Sequence, residues 1–112
     1  MLEHKFFKTS NRMPAYSYIK DQDAESKIRI IKEMERVDNH GLDFAMRDRT
    51  VKKLHRSYPL YELRVRAGNL KHRLLFTLRG TICWYVSGFL KKTRKTPPNE
   101  MSTALARAKK IK

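Results

Sequence analysis

Basic residues recur at alternate positions in two neighbouring segments of the second half of the chain. Arg64 and Arg66 alternate with apolar residues, and Lys71 and Arg73 follow at the same two-residue spacing. Alternate residues of a strand point to one face, and neighbouring strands lie about 5 Å apart. If the two segments pair as strands, their cations share a surface on which mutual repulsion favours a bound anion.

RNA cleavage is a reaction that these residue types can perform, because RNA carries its own nucleophile. The ribose 2′-hydroxyl attacks the adjacent phosphorus, so the protein must align the attack, move protons and stabilise negative charge. The guanidinium forks of Arg64, Arg66 and Arg73 match phosphate oxygens. We expect Arg73 to be the most important of the three.

Four side chains are candidates for moving the protons: His55, His72, Lys91 and Lys92. Neighbouring cations lower the pKa of a lysine, and histidine exchanges protons near neutral pH. His72 has the parity of the apolar residues in its segment, which favours a position facing the core. His55 precedes the strands in a predicted loop, from which it can reach the open face.

Other chemistries have little support in the sequence. The chain has one cysteine, Cys83, so it can form neither an intrachain disulfide nor a cysteine-based zinc site. Cys83 lies in an apolar segment, where a free cysteine is usually a small core residue. The four histidines are scattered, and no glycine-rich phosphate loop occurs. We therefore expect no metal and no cofactor.

The positive charge is concentrated in the second half of the chain. Residues 1–50 contain 10 basic and 9 acidic residues, whereas residues 51–112 contain 16 basic and 2 acidic residues. Such a field captures polyanions, so the partner could be nucleic acid, an anionic membrane surface or an acidic protein, with nucleic acid favoured. A single cysteine, no membrane-spanning apolar run and no signal peptide predict a cytosolic location.

The periodicities predict one α+β domain over residues 1–112. Two helices would cover one face of an antiparallel sheet, and the other face would be partly open and carry the cations. The stripe of helix 24–38 would contain Ile28, Ile31, Met34 and Val37, with Ile30 outside it. The predicted elements are a strand over 2–8, helices over 14–20 and 24–38, strands over 60–66, 70–77 and 81–89, and a last helix capped by Thr96.

Two further local expectations concern chain connections. Residues 42–59 are predicted to form a connecting segment in which Leu42, Phe44 and Leu54 pack against the core. Gly41 suits the left-handed position that ends a helix.

Three motifs then resemble a known family. Residues 59–66 (PLYELRVR), 72–76 (HRLLF) and 88–100 (GFLKKTRKTPPNE) resemble the phage Gp49-like, HigB-type branch of the RelE/ParE toxin superfamily. That branch has a "YELR" strand, a "YR" strand and a "GF-KKT-KTP--E" loop that runs into a final helix. The three motifs occur here in that order and at the expected separations.

The resemblance implies a RelE-like fold, with two N-terminal helices on one face of an antiparallel sheet and a C-terminal helix. It implies a type II toxin that cuts mRNA in the ribosomal A site, and a helix-turn-helix, HigA-like antitoxin through which alone operator DNA is bound. Arg64 and Arg66 match the basic residues of the "YELR" strand, and Arg73 matches the arginine that contacts the scissile phosphate. The residues expected to approach or bind RNA are Arg66, Lys71, Lys91, Lys92, Arg94 and Lys95.

The sequence departs from the family pattern near its end. Many ribonuclease members place a tyrosine or histidine there, but no aromatic residue or histidine follows Phe89. The general acid would then be Lys91, Lys92, Arg94 or His55. Two alternatives stay open: a ParE-type inhibitor of DNA gyrase, and a non-catalytic RNA-binding protein of phage origin.

Overall fold

The structure, a computed structural model, describes residues 2–111. No helix in this range is long and apolar enough to cross a membrane. Its elements, in chain order, are β1 (Glu3–Phe6), α1 (Pro14–Lys20), α2 (Ala24–His40), α3 (Leu42–Arg47), β2 (Val51–Lys53), β3 (Leu60–Ala67), β4 (Leu70–Arg79), β5 (Ile82–Leu90) and α4 (Pro98–Ala108).

One five-stranded sheet has the order β1-β5-β4-β3-β2. The predicted antiparallel meander of β3, β4 and β5 is confirmed. Gly68 and Gly80 begin its two turns with φ values of 58° and 60°, a conformation in which glycine is not strained. The expectation of a purely antiparallel sheet is wrong, because β1 pairs with β5 in parallel and makes the sheet mixed.

The first face of the sheet is covered by α1 and α2, as predicted, and contains the larger core. Ile30 and Val37 of α2 pack there with Leu63, Leu74 and Phe76 of the central strands. Asp23 caps α2, since its Oδ1 accepts a hydrogen bond from the Ser26 amide at 2.7 Å. This face therefore supplies most of the apolar burial.

The predicted stripe of α2 is confirmed for Met34 and Val37 but wrong for Ile28, Ile31 and Ile30. Ile30 is fully buried, whereas Ile28 and Ile31 are 53% and 50% exposed. At 100° per residue, Ser26, Ile30 and Val37 lie on one side of the helix, and Ile28 lies on the opposite side. Ser26 lies on the contact side because its buried hydroxyl makes a hydrogen bond of 2.8 Å with Nε2 of His72 in β4.

Residues 42–59 contain two elements that the sequence analysis does not predict. α3 has six residues and β2 has three, which is too short for a periodic pattern. Gly41 has a φ of 88° and separates α2 from α3, as its predicted role requires. Leu42 and Leu54 pack against the cores, but Phe44 is 41% exposed, contrary to expectation.

The second face is divided into two halves. At one end, α4 covers a smaller core in which Leu60, Leu75, Val86 and Phe89 pack around Ala104. The other end is left open. Thr96 is not the cap of α4, contrary to expectation: Pro97 occupies that position, and the Thr96 hydroxyl makes a hydrogen bond to β3 instead.

Gly88 allows α1 to approach β5 closely. A Cβ atom at this position would lie 2.6–2.9 Å from side-chain atoms of Tyr18. The Tyr18 hydroxyl lies 2.6 Å from Nδ1 of the buried His72, so the ring cannot move away without losing that hydrogen bond.

We therefore expect Gly88→Ala to lower the free energy of unfolding by about 1–3 kcal/mol through overpacking. Urea unfolding of Gly88→Ala, Tyr18→Ala and the double variant measures this loss. If the clash with Tyr18 is the cause, Gly88→Ala lowers the free energy of unfolding only slightly when Tyr18 is already alanine. Equal costs in both backgrounds would contradict this explanation.

Candidate functional site

The open half of the second face carries the cations that the alternation predicts. Arg64 of β3 lies directly opposite Arg73 of β4, and Arg66 lies opposite Lys71. Residues that face each other across an antiparallel pair have the same orientation, so these four side chains share one face. The prediction that these cations share one surface of the sheet is confirmed.

A buried carboxylate lies between the two central arginines. Glu62 is 1% exposed, and its Oε1 is 3.2 Å from Arg64 Nε and 3.6 Å from Arg73 Nε. Its Oε2 accepts a hydrogen bond of 2.8 Å from the Thr96 hydroxyl. Glu62 therefore holds both guanidinium groups and also the chain just before α4.

Arg73 is the more enclosed of the two arginines. It is 9% exposed, and its Nη1 donates to the carbonyl of His72 at 3.0 Å. Burial lowers the pKa of its guanidinium, and Glu62 opposes that shift, but an arginine stays protonated in proteins. Its Nε is buried and makes no hydrogen bond within residues 2–111. The site thus contains a permanent positive charge held next to the Glu62 carboxylate.

Lys91 adjoins the arginines at the end of β5. Its amide donates to the carbonyl of Lys71 at 2.8 Å, which continues the pairing of β5 with β4. Burial lowers the pKa of Lys91, Glu62 raises it, and the nearby cations Arg73 and Arg64 lower it further. A lysine in these surroundings gives up its proton more readily than an ordinary one.

Lys52 belongs to the same group but was missed by the sequence analysis. It lies opposite Glu62 in the pairing of β2 with β3, and its charge also lowers the pKa of Lys91. Its orientation could not be read because β2 was not recognised as a strand. We call Lys52, Glu62, Arg64, Arg73 and Lys91 the basic cluster.

Glu62 was also missed, although the sequence contains a signal for it. Only Glu62 and Glu100 are acidic among residues 51–112. An isolated carboxylate among so many cations is electrostatically favoured as their common partner.

The two predicted histidines do not join the basic cluster. The core-facing position that parity favours for His72 is confirmed: it points to the first face, fully buried, with the Tyr18 and Ser26 hydroxyls at its ring nitrogens. His55 follows β2 near the start of β3, about 17 Å from Arg64 along the strand by the usual rise per residue. Its Nδ1 accepts the amide of Ser57 at 3.1 Å. The structure thus separates His55 from the residues with which it was grouped.

The remaining predicted RNA-binding residues surround the basic cluster. Arg66 and Lys71 are exposed beyond it on the same face. The loop from β5 to α4 begins at Lys91 and is tied to Glu62 through Thr96, so both of its ends are anchored at the cluster. The exposed cations of that loop are Lys92, Arg94 and Lys95.

This arrangement suits a phosphodiester. Four cations around one carboxylate leave an excess of positive charge on an open surface, and two of them are arginines that can bind phosphate oxygens with two donors each. A lysine with a lowered pKa adjoins them. The site can therefore bind a phosphate, stabilise added negative charge on it and accept a proton nearby.

Comparison with known proteins gives one family. The family model described as Phage derived protein Gp49-like (DUF891) matches residues 17–109. The matched range extends from α1 to just beyond α4 and includes the entire basic cluster. A search of curated proteins finds no match.

We expect Glu62→Gln to destabilise the fold, because the two arginines would then repel each other without a counter-charge. Loss of one partner of a buried ion pair costs of the order of 3 kcal/mol. Glu100→Gln is the matched control, since Glu100 is the other acidic residue of this half and makes no ion pair among residues 2–111. Glu100→Gln should change the free energy of unfolding by no more than about 0.5 kcal/mol.

Urea unfolding with and without inorganic phosphate measures both variants. Phosphate should restore more stability to Glu62→Gln than to Glu100→Gln, because a bound anion replaces the missing charge. Equal losses in the two variants would contradict the role given to Glu62.

Proposed function

Because the chain belongs to the Gp49-like family of phage-derived proteins, a RelE/ParE-like toxin family, we propose that it is a HigB-type toxin that cuts mRNA. The observation that carries this proposal is the pair Arg64 and Arg73, held side by side by the buried Glu62, with Arg64 partly exposed and Arg73 nearly enclosed beneath the open face. The placement of α1 and α2 on one face and α4 on the other supports a RelE-like arrangement.

The proposed reaction is transesterification within the RNA strand. The 2′-oxygen loses its proton and bonds to phosphorus, the bond to the 5′-oxygen breaks, and that oxygen leaves with a proton. The products are a 2′,3′-cyclic phosphate and a 5′-hydroxyl end. The reaction needs no component other than RNA and proton-transfer groups.

The residues of the basic cluster have distinct roles in this reaction. Arg73 and Arg64 bind the non-bridging oxygens and stabilise the charge that grows on them. Lys91 accepts the proton of the 2′-hydroxyl, and its lowered pKa favours that role. We assign protonation of the leaving oxygen to Lys52, which lies opposite Glu62 in the pairing of β2 with β3, in place of His55.

Binding on the ribosome is supported by the exposed cations around the basic cluster. The site is an open surface on which single-stranded mRNA can lie, and the surrounding polyanion would be the small ribosomal subunit at its A site. Long-range attraction between this face and RNA speeds their encounter. A cytoplasmic location follows from the proposed substrate.

The proposed antitoxin is a helix-turn-helix protein of HigA type. A chain with a net charge of +15 and an open basic face offers a binding site for an acidic segment of such a partner. Occupation of the basic cluster by carboxylates would exclude RNA. Operator DNA would then be bound through the antitoxin alone.

The alternatives fit the site less well. An inhibitor of DNA gyrase has no need for two phosphate-binding arginines held by a buried carboxylate. A non-catalytic RNA-binding protein has no need for a lysine with a lowered pKa beside them. Both alternatives are outcomes of the following experiment.

Mapping of mRNA 5′ ends after a short induced pulse tests the proposal. We expect cuts inside translated codons with the wild type and none with Arg73→Ala or Arg73→Lys, because neither variant retains the guanidinium fork. Arg56→Ala removes an exposed arginine of the loop before β3 and should cut normally. Intact mRNA with growth arrest would favour gyrase poisoning, and intact mRNA with normal growth an inactive relative.

The proton-transfer role of Lys91 predicts a pH dependence. The cleavage rate should rise with pH as Lys91 loses its proton, and the rise should begin below the pH expected for an ordinary lysine. Lys91→Arg keeps the charge but cannot act as a base, so the rate should fall by about 10²–10⁴-fold and lose the rise. Single-turnover cleavage of ribosome-bound mRNA measures the rate and its pH dependence. A pH dependence unchanged in Lys91→Arg would show that Lys91 is not the base.

A further inference from the structure

A cleft lies beside the basic cluster, along the free edge of β2. It has a volume of about 400 Å³ and reaches from the end of α3 to β3. Arg64 and Lys52 line it and also belong to the basic cluster, so the two sites are continuous. Its complete lining is Met46, Arg49, Val51, Lys52, Lys53 and Arg64.

Arg49 has an unusual backbone conformation at this cleft. Its φ is 70°, and it is the one non-glycine residue with a positive φ in the described part of the chain. Such a conformation costs free energy and persists only where the surroundings impose it. Strained residues of this kind cluster at binding and catalytic sites.

Three side chains impose the conformation. Asp48 Oδ1 accepts the amide of Thr50 at 2.9 Å, which closes a tight turn around Arg49. Arg36 of α2 donates to the Thr50 hydroxyl at 2.7 Å and pairs with the other oxygen of Asp48. The turn is thus anchored to the helix layer, and Arg49 itself is left exposed at the cleft.

The register of β2 adds backbone donors to the same cleft. The amide of Arg64 donates to the carbonyl of Thr50 at 2.8 Å, so Thr50 lies opposite Arg64. Arg49 is the residue just before Thr50. In an antiparallel pair the bonded positions alternate with positions whose amides point away. The amides of Val51 and Lys53 therefore point to the open edge, which no other strand of the sheet covers.

We propose that this cleft binds the nucleotide next to the scissile phosphate of a single-stranded RNA, an inference that rests on the proposed function. Arg49 and Lys53 bind the phosphate of that nucleotide, and the exposed Met46 provides an apolar surface for its base. Arg64 lines both sites. Because consecutive nucleotides are covalently joined, one RNA strand can occupy the two sites together.

A nucleotide fits the cleft better than an acidic peptide does. The cations and the outward amides would serve an acidic peptide equally well, but the guanidinium plane of Arg49 and the apolar surface of Met46 also suit a flat base. Bases stack on guanidinium planes and make hydrogen bonds through their edges. The mixture of groups therefore favours a ligand with both a phosphate and a base.

The test is the binding of a labelled hexanucleotide with 2′-O-methyl groups, which cannot be cleaved by 2′-hydroxyl attack. Arg49→Gly removes the side chain and relieves the backbone strain, so it should unfold at the same or a higher temperature than the wild type. We expect it to bind the oligonucleotide about 5–20-fold more weakly, with a salt dependence reduced by about one ion. Arg56→Ala, with the same change in charge, should bind like the wild type.

The outcomes separate this inference from the proposed function. Equal binding by Arg49→Gly and Arg56→Ala would overturn the cleft assignment, even if mRNA is cut in cells. Weaker binding by Arg49→Gly alone would support the assignment, even if no mRNA is cut. Competition by poly-glutamate as strong as that by RNA of equal charge would overturn it in favour of an acidic protein segment.

Discussion

The ion pairs of the buried Glu62 are the interaction on which the candidate site depends. A carboxylate removed from water costs several kcal/mol unless it is paired and hydrogen-bonded, and here Arg64, Arg73 and Thr96 provide that pairing. In return, the negative charge offsets the repulsion between two adjacent guanidinium groups. The two guanidinium groups are thus held in defined positions while the site keeps a net positive charge, the combination needed to bind an anion in a defined position.

The two faces of the sheet differ in function because only one of them is fully covered. The first face contains the larger core under α1 and α2, and the buried His72 is hydrogen-bonded there to Ser26. On the second face, α4 covers the apolar half. The other half is free to carry charge, and the bond from Thr96 to Glu62 connects the loop before α4 to it.

The site is not confined to the basic second half of the chain. Residues 1–50 contribute Arg49, which lines the cleft beside the basic cluster and lies three residues before Lys52. Arg36 of α2 helps to hold the turn around Arg49 in place. The balanced first half of the chain therefore does more than support the sheet, since it helps to build the edge along which we place the substrate.

Local pattern determined the meander and the shared face of Arg64 and Arg73, because the period of a strand is set by its own backbone. It also determined the bounds of α1, because Pro14 suits the first turn of a helix. The orientation of α2, the strand β2 and the burial of Glu62 were decided by tertiary structure. Each depends on a partner distant in sequence: for α2 the hydrogen bond of Ser26 with His72, for β2 the pairing with β3, and for Glu62 the two arginines and Thr96. The same dependence removed His55 from the site, because only the sheet register shows which ends of the strands lie together.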